Sequence, residues 1–146
     1  MDDAISRTLP DNVVLIMAAA PADFRAASVA TQKLKRGAGT ASLDLESTRD
    51  ILGATTAKRR PGAFIVGFAL ETGAAVNGAL KKLSEKGLDL IVANDATEPG
   101  AGFSVDTNRV TLIAKDGTRE ELPLLSKSAV ADEILPAVDR MKTIHI

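Results

Sequence analysis

Three short runs in this chain are apolar at consecutive rather than alternate positions. "NVVLIMAAA" (residues 12–20), "AFIVGFAL" (63–70) and "LDLIVAND" (88–95) are rich in β-branched and aliphatic residues, the signature of strands buried on both faces. Between the last two lies "ETGAAVNGALKKLSEKG", where Val76, Leu80 and Leu83 recur at i, i+4 and i+7 and Gly87 stands as a C-cap. That spacing predicts a strand, helix, strand unit. A crossover of this length implies parallel pairing through a right-handed connection.

The segment 48–58 reads as another helix, with Ser47 as its N-cap and Pro61 stopping it. After Asp95 the texture changes. "ATEPGAGFSVDTN" (96–108) is a loop in which Gly100 and Gly102 permit movement over a site. "RVTLIAK", "DG" and "TREELPL" then predict a hairpin. Ser126 or Ser128 caps a final helix through Met141, with Val130, Ile134, Val138 and Met141 as its apolar stripe and Pro136 as a source of a kink. The opening "MDDAISRTL" reads as the end of a helix. The expected fold is α/β, a three-layer Rossmann-like, mostly parallel sheet with an appended antiparallel β-hairpin, residues 1–146 forming a single domain.

Composition narrows the function. A chain of 146 residues buries about two thirds of its unfolded surface, enough for one core. A net charge of -1, no Trp or Tyr and four Phe argue against a nucleic-acid partner, which calls for a basic excess and stacking platforms. With no cysteine and with His145 as the one histidine, thiol nucleophiles, disulfides and His-centred triads drop out. No run approaches the roughly 18 to 20 apolar residues of a membrane span, and the acidic start is no signal peptide, so a cytoplasmic protein without a membrane partner is expected.

Ligands of such sheets gather at the carboxyl ends of the strands, where the unusual polar residues fall. Asp23 and Phe24 follow the first run, Phe68 and Glu71 end the second, and Asn94 and Asp95 end the third. Asp23 either caps a turn or accepts hydrogen bonds from a ligand amine such as that of cytosine, with Ala18, Ala19 and Ala20 letting the ligand approach the backbone. Lys33, Lys35 and Arg36, with Arg25 before them, meet no acid between Asp23 and Asp44. They form either a solvated basic loop or a seat for a triphosphate and its metal. Lys82 and Lys86, like charges at i, i+4, are either a plain surface face or two hands on one anion. The acids of 95–106 do not follow a calcium-loop spacing, so no metal ligands are assigned. GxGxxG and GxxxxGK[ST] are both absent, and a phosphate loop is expected upstream of this chain.

Taken together, "AAAPADFR", "KLKR" ten residues after the aspartate, "VGFALET", "LDLIVAND", "GAGFSVDTNRVTLI" and "KSAVADEIL" resemble, in order and spacing, the bacterial phosphopantothenate–cysteine ligase family, whose members are often fused behind a flavin-dependent decarboxylase. The resemblance implies the C-terminal part of a CTP-dependent ligase domain. CTP with Mg2+ would activate the carboxylate of phosphopantothenate as an acyl cytidylate, and the amine of cysteine would then form the amide and release CMP. It further implies that Ala19 lines the cytidine and intermediate site, Asp23 recognises the base, and Lys33 neutralises the phosphates and the transition state. Phe68 would pack on the nucleotide, and Lys82 and Lys86 would hold it. A homodimer formed through the hairpin region, with "GAGF" as a flap, is implied too. The chain departs from the family where Thr48 and Arg49 replace Asn-Pro, Phe24 replaces Tyr and Ala26 replaces Pro, and where the amino-terminal glycine-rich strand and an acyl-cytidylate Asn have no counterpart. A noncatalytic nucleotide-binding or dimerisation module is the alternative. An NAD-type domain is disfavoured by the missing glycines.

Overall fold

The structure is a computed structural model that describes residues 1–33, 40, 42–71, 75–95, 97–101 and 105–144. Its centre is a five-stranded sheet of order β1-β4-β5-β7-β8. β1 (Val14–Met17), β4 (Phe64–Glu71) and β5 (Leu90–Asp95) run parallel, as the continuous apolar runs predict. β7 (Thr111–Ala114) and β8 (Arg119–Glu121) form the predicted hairpin, its turn carried by Gly117 at φ 91°. The hairpin extends the main sheet, because β7 pairs antiparallel with β5 from Leu90↔Ala114 to Ala93↔Thr111.

Side chains alternate across a strand, and the two sets pack on different helices. Phe64, Val66, Leu90, Val92 and Leu112 meet Val130, Ile134, Ala137 and Val138 of α4 (Lys127–Ile144). Ile65, Ala69, Ile91, Ala93 and Ile113 meet Ala79 and Leu83 of α3 (Ala75–Glu85). Three layers result. Both stripes are the predicted ones, and α4 continues through Pro136. Ser126 caps it by accepting from the Ala129 N–H at 3.1 Å. The C-terminus of α3 closes as a Schellman motif, with Gly87 at φ 55°, Leu88 N–H donating to Leu83 C=O at 2.9 Å and Gly87 N–H to Ser84 C=O at 3.2 Å.

The amino-terminal helix α1 (Asp2–Thr8) fits the reading of "MDDAISRTL". Between 48 and 58 the expectation needs correction: Ser47 ends a strand, and α2 spans only Ile51–Ala54 before a 3-10 turn at Thr56–Lys58. Thr48 is held by the chain before it, donating from N to Asp23 C=O at 2.8 Å and from Oγ1 to Ala22 C=O at 2.5 Å. The cap passes to Asp50, whose Oδ1 accepts from Gly53 N–H at 3.1 Å. Two small antiparallel pairs were not foreseen: β2 (Phe24–Ala26) with β3 (Leu45–Ser47), and β6 (Thr107–Asn108) with β9 (Leu125–Ser126). Among the described residues no helix is long and apolar enough to cross a membrane.

Candidate functional site

The carboxyl ends of β1, β4 and β5 open into a cleft of about 780 Å³. β1 stops at Met17, so Ala18, Ala19 and Ala20, all exposed residues, leave the sheet and run along the rim, and Pro21, Ala22 and Asp23 continue it. No side chain beyond a methyl group screens the main chain at the three alanines. That is the geometry a flat or anionic ligand needs to reach backbone N–H groups.

The two faces of the sheet provide unlike walls. On the α4 side stand Phe68 and Leu70, each 38% exposed although they continue the buried series Phe64 and Val66. Asn94 lies beyond Val92 on the same face, its Nδ2 donating to Asn108 Oδ1 at 3.3 Å, and Lys127 at the start of α4 joins this wall. An exposed phenyl ring at the end of a buried strand offers a surface for a ring or an alkyl chain.

On the α3 side stand Lys82 and Lys86, one turn apart, with Arg49, Asp50 and Leu52 opposite. Lys86 Nζ donates to Asp50 Oδ2. That hydrogen bond, helped by the Gly53 N–H and opposed by partial desolvation, holds the Asp50 carboxyl below its ordinary range. Thus the half-buried Lys86 already has an anion beside it, carried on the helix opposite.

Of the residues singled out in the sequence, Ala19, Asp23, Phe68, Lys82 and Lys86 line this one cleft. Lys33 does not: it is exposed on the loop after β2 and is no part of the lining. Asp95 also turns away, because its Oδ1 accepts from Thr97 N–H at 2.8 Å and Thr97 Oγ1 at 2.6 Å, folding the next loop. Lys35, Arg36, the Gly37 to Gly39 segment, Gly102, Phe103 and His145, and the side chain of Glu71, lie outside the described residues. Sequence reasoning passed over Asp50 and Lys127. The signal for Asp50 was the dipeptide Asp-Ile opening a short apolar turn, hidden by the better-looking cap Ser47. Among the described residues no three acidic or histidine side chains are grouped to hold a metal ion.

The chain and its fold have known relatives. Residues 1–141 match the family model described as the DNA/pantothenate metabolism flavoprotein C-terminal domain. The chain is 43% identical over 138 residues to the coenzyme A biosynthesis bifunctional protein CoaBC of Bacillus subtilis, covering 94% of this chain and 34% of that protein. It is 44% identical over 147 residues to the CoaBC of Mycobacterium tuberculosis, covering 93% and 35%. It therefore spans about a third of the length of these relatives. The crystal structure of the C-terminal domain of a CoaBC superposes with a TM-score of 0.72 at 35% identity, over 96% of this chain and 60% of that one.

Proposed function

This chain belongs to the DNA/pantothenate metabolism flavoprotein C-terminal domain family, and from that premise we propose that it carries the phosphopantothenate–cysteine ligase site of coenzyme A biosynthesis, a carbon–nitrogen ligase driven by CTP. The observation that supports this reading is one cleft in which an alanine rim, the carboxylates of Asp23 and Asp50, an exposed ring and the ammonium groups of Lys82, Lys86 and Lys127 face a common space. Cytosine fits the rim, with its exocyclic amine donating to Asp23. Phe68 covers the opposite side, and Lys82 and Lys86 take the phosphates. Each charge-assisted contact of this kind contributes about 1.5–3 kcal/mol.

The reaction needs no nucleophilic side chain. A carboxylate oxygen of phosphopantothenate bonds to the α-phosphorus of CTP while the bond from that phosphorus to the bridging oxygen breaks, and pyrophosphate leaves. The cysteine amine then bonds to the acyl carbon, the acyl C–O bond breaks, CMP leaves with that bonding pair, and the amine proton passes to water. What the protein contributes is alignment and positive charge around the phosphorus. Mg2+ would travel with the triphosphate, keeping several waters and asking little of the protein. Lys33 enters as the cation of the transition state, which requires its exposed side chain to reach the cleft from outside the lining. A cytoplasmic protein, a decarboxylase domain elsewhere in the full polypeptide and a homodimer complete the reading. The β2–β3 ribbon is a stronger candidate for the dimer contact than the β7–β8 hairpin, because Val29 and Leu43 beside it are 89% and 69% exposed.

Titration calorimetry with CTP, ATP and CMP in Mg2+ tests the reading, and the expected result is a clear preference for CTP. Equal affinity for the nucleotides, or none, overturns it. The second reading, a noncatalytic nucleotide-binding module, is favoured by the position of Lys33 off the cleft and by the charge of Lys86 already met by Asp50. Under it CTP binds, yet no pyrophosphate is released when phosphopantothenate and cysteine are added.

A further inference from the structure

Arg59 is absent from the cleft, yet it ties together the two segments that form the cationic wall. Its Nη1 donates to Gly87 C=O at 2.5 Å, and its Nη2 donates to Lys86 C=O at 2.9 Å and to Leu52 C=O at 3.2 Å. Its Nε donates to Thr55 Oγ1 at 3.2 Å, and that hydroxyl, buried in the core, donates onward to Leu52 C=O at 2.6 Å. One planar fork thereby collects a carbonyl from within α2 and those of the two residues that leave α3.

Leu52 C=O also accepts from Thr55, whereas the other two carbonyls lie past the end of a helix. Lys86 and Gly87 follow the last turn of α3, where carbonyls lack intrahelical donors, and the left-handed Gly87 aims them outward. A Cβ on Gly87 would stand 3.3 Å from Arg59 Nη1, so the glycine also makes room for the guanidinium. Burial pushes the Arg59 pKa below its ordinary value, with the charge of Asp89 opposing the shift. A guanidinium accepts partial burial and keeps its charge, and only a planar fork reaches acceptors on both segments.

We propose that Arg59 is a positioning residue for the nucleotide-phosphate wall: by clamping the end of α3 to α2 it fixes where Lys86 and Asp50 stand, and so whether the Lys86 ammonium can be handed from the Asp50 carboxylate to a bound phosphate. The two halves of this arrangement lie side by side. The main chain of Lys86 is held by Arg59, while its side chain is held by Asp50, which itself caps α2 through Gly53. Loosening the first lets the second drift. The Asp50 carboxylate lies so close over Gly53 that a Cβ there would stand 2.5 Å from Oδ2, so this pairing needs glycine at position 53.

The inference rests on the nucleotide reading for its consequence, though not for its geometry, and the experiment separates the two. Arg59→Lys keeps the charge and loses the fork. We expect about a tenfold weaker CTP affinity by calorimetry, and an Asp50 titration, followed by carboxyl NMR without nucleotide, that returns toward the ordinary carboxylate value. In a Lys86→Gln background the same Arg59→Lys change is expected to alter CTP affinity less than about twofold, because the group it positions is gone. A purely structural arginine would lower thermal stability in both backgrounds and weaken CTP equally in both, which overturns the proposal. An unchanged Asp50 titration in Arg59→Lys overturns it as well. If the wild-type protein fails to bind CTP, the nucleotide reading falls, and the Asp50 titration alone decides whether the clamp exists.

Discussion

The main sheet and the β2–β3 ribbon are both made of short strands, and they solve the problem of stability in opposite ways. In β4 and β5 nearly every side chain before the carboxyl end is buried: Val66, Leu90, Ile91 and Val92 have no exposed surface at all. In the ribbon three residues pair with three, and of the six only Ala26 is even half-buried. The ribbon holds by backbone pairing and by Arg25 Nε bonded to Glu46 Oε1 at 2.6 Å, little more than an isolated two-stranded hairpin has in water. The cleft lies where the two regimes meet, so one end of it is set by a close-packed core and its rim by a segment with almost no core of its own. Such a division gives a ligand a fixed floor and an adaptable edge.

The strongest way to break this contrast is to remove the same side chain from each region. Leu90→Ala opens a cavity under α4 and should cost about 2–5 kcal/mol, read as a fall in the urea midpoint. Leu45→Ala, on a strand exposed throughout, should stay within about 0.5 kcal/mol. If Leu45→Ala costs as much as Leu90→Ala, and the cost fades on dilution, the ribbon is buried against a second copy. The proposed dimer contact would then be located.

The next effects concern the ligand rather than the fold. Lys86→Gln should weaken CTP about 10- to 100-fold, the cost of one charge-assisted phosphate contact, with a urea midpoint close to that of the parent protein. Asp23→Ala, at the rim, should spare total affinity more but narrow the preference for CTP over UTP by about tenfold, since the cytosine amine loses its acceptor. A variant set in which both changes move affinity alike, with no change in base preference, would erase the distinction between a floor that holds phosphate and an edge that reads the base.

How much of this was legible follows the same divide. Period and punctuation announced the sheet: continuous apolar runs, the stripe Val76, Leu80, Leu83 and the terminating Gly87 all lie within a few residues of what they specify. The ribbon was invisible because Phe24 pairs with Ser47 across the chain, and neither strand is long enough to display alternation. Its own long-range bonds then overrode local capping, moving the helix start from Ser47 to Asp50. Placement in the cleft was legible for Asp23 and Phe68, because both fall at the carboxyl ends of strands that the apolar runs announce. Lys33 was not, because a basic cluster states a charge imbalance and carries no information about direction. Arg59 carries no sequence signal of its own, and only the folded chain reveals which carbonyls it meets.

A small effect on stability tests the ion pair of the cationic wall without any ligand. Asp50 has two tasks, capping α2 and pairing with Lys86, and Asn at the same position keeps the first because its carbonyl caps nearly as well. Asp50→Asn therefore isolates the ion pair. The carboxyl is held below its unfolded value of about 3.9, so its contribution is full above that value and is lost as the pH falls through the lower folded value. With Asp50 about half exposed (51%) the pair is screened by solvent, and it should contribute less than about 1 kcal/mol. Urea unfolding of wild type and Asp50→Asn should differ by that amount at pH 7, and the two curves should converge once the pH has fallen through the lowered folded value. Added salt at pH 7 should close part of the gap. A difference that persists unchanged at low pH would mean that Asp50 stabilises only as a cap, and that Lys86 stands ready for phosphate without having to be released.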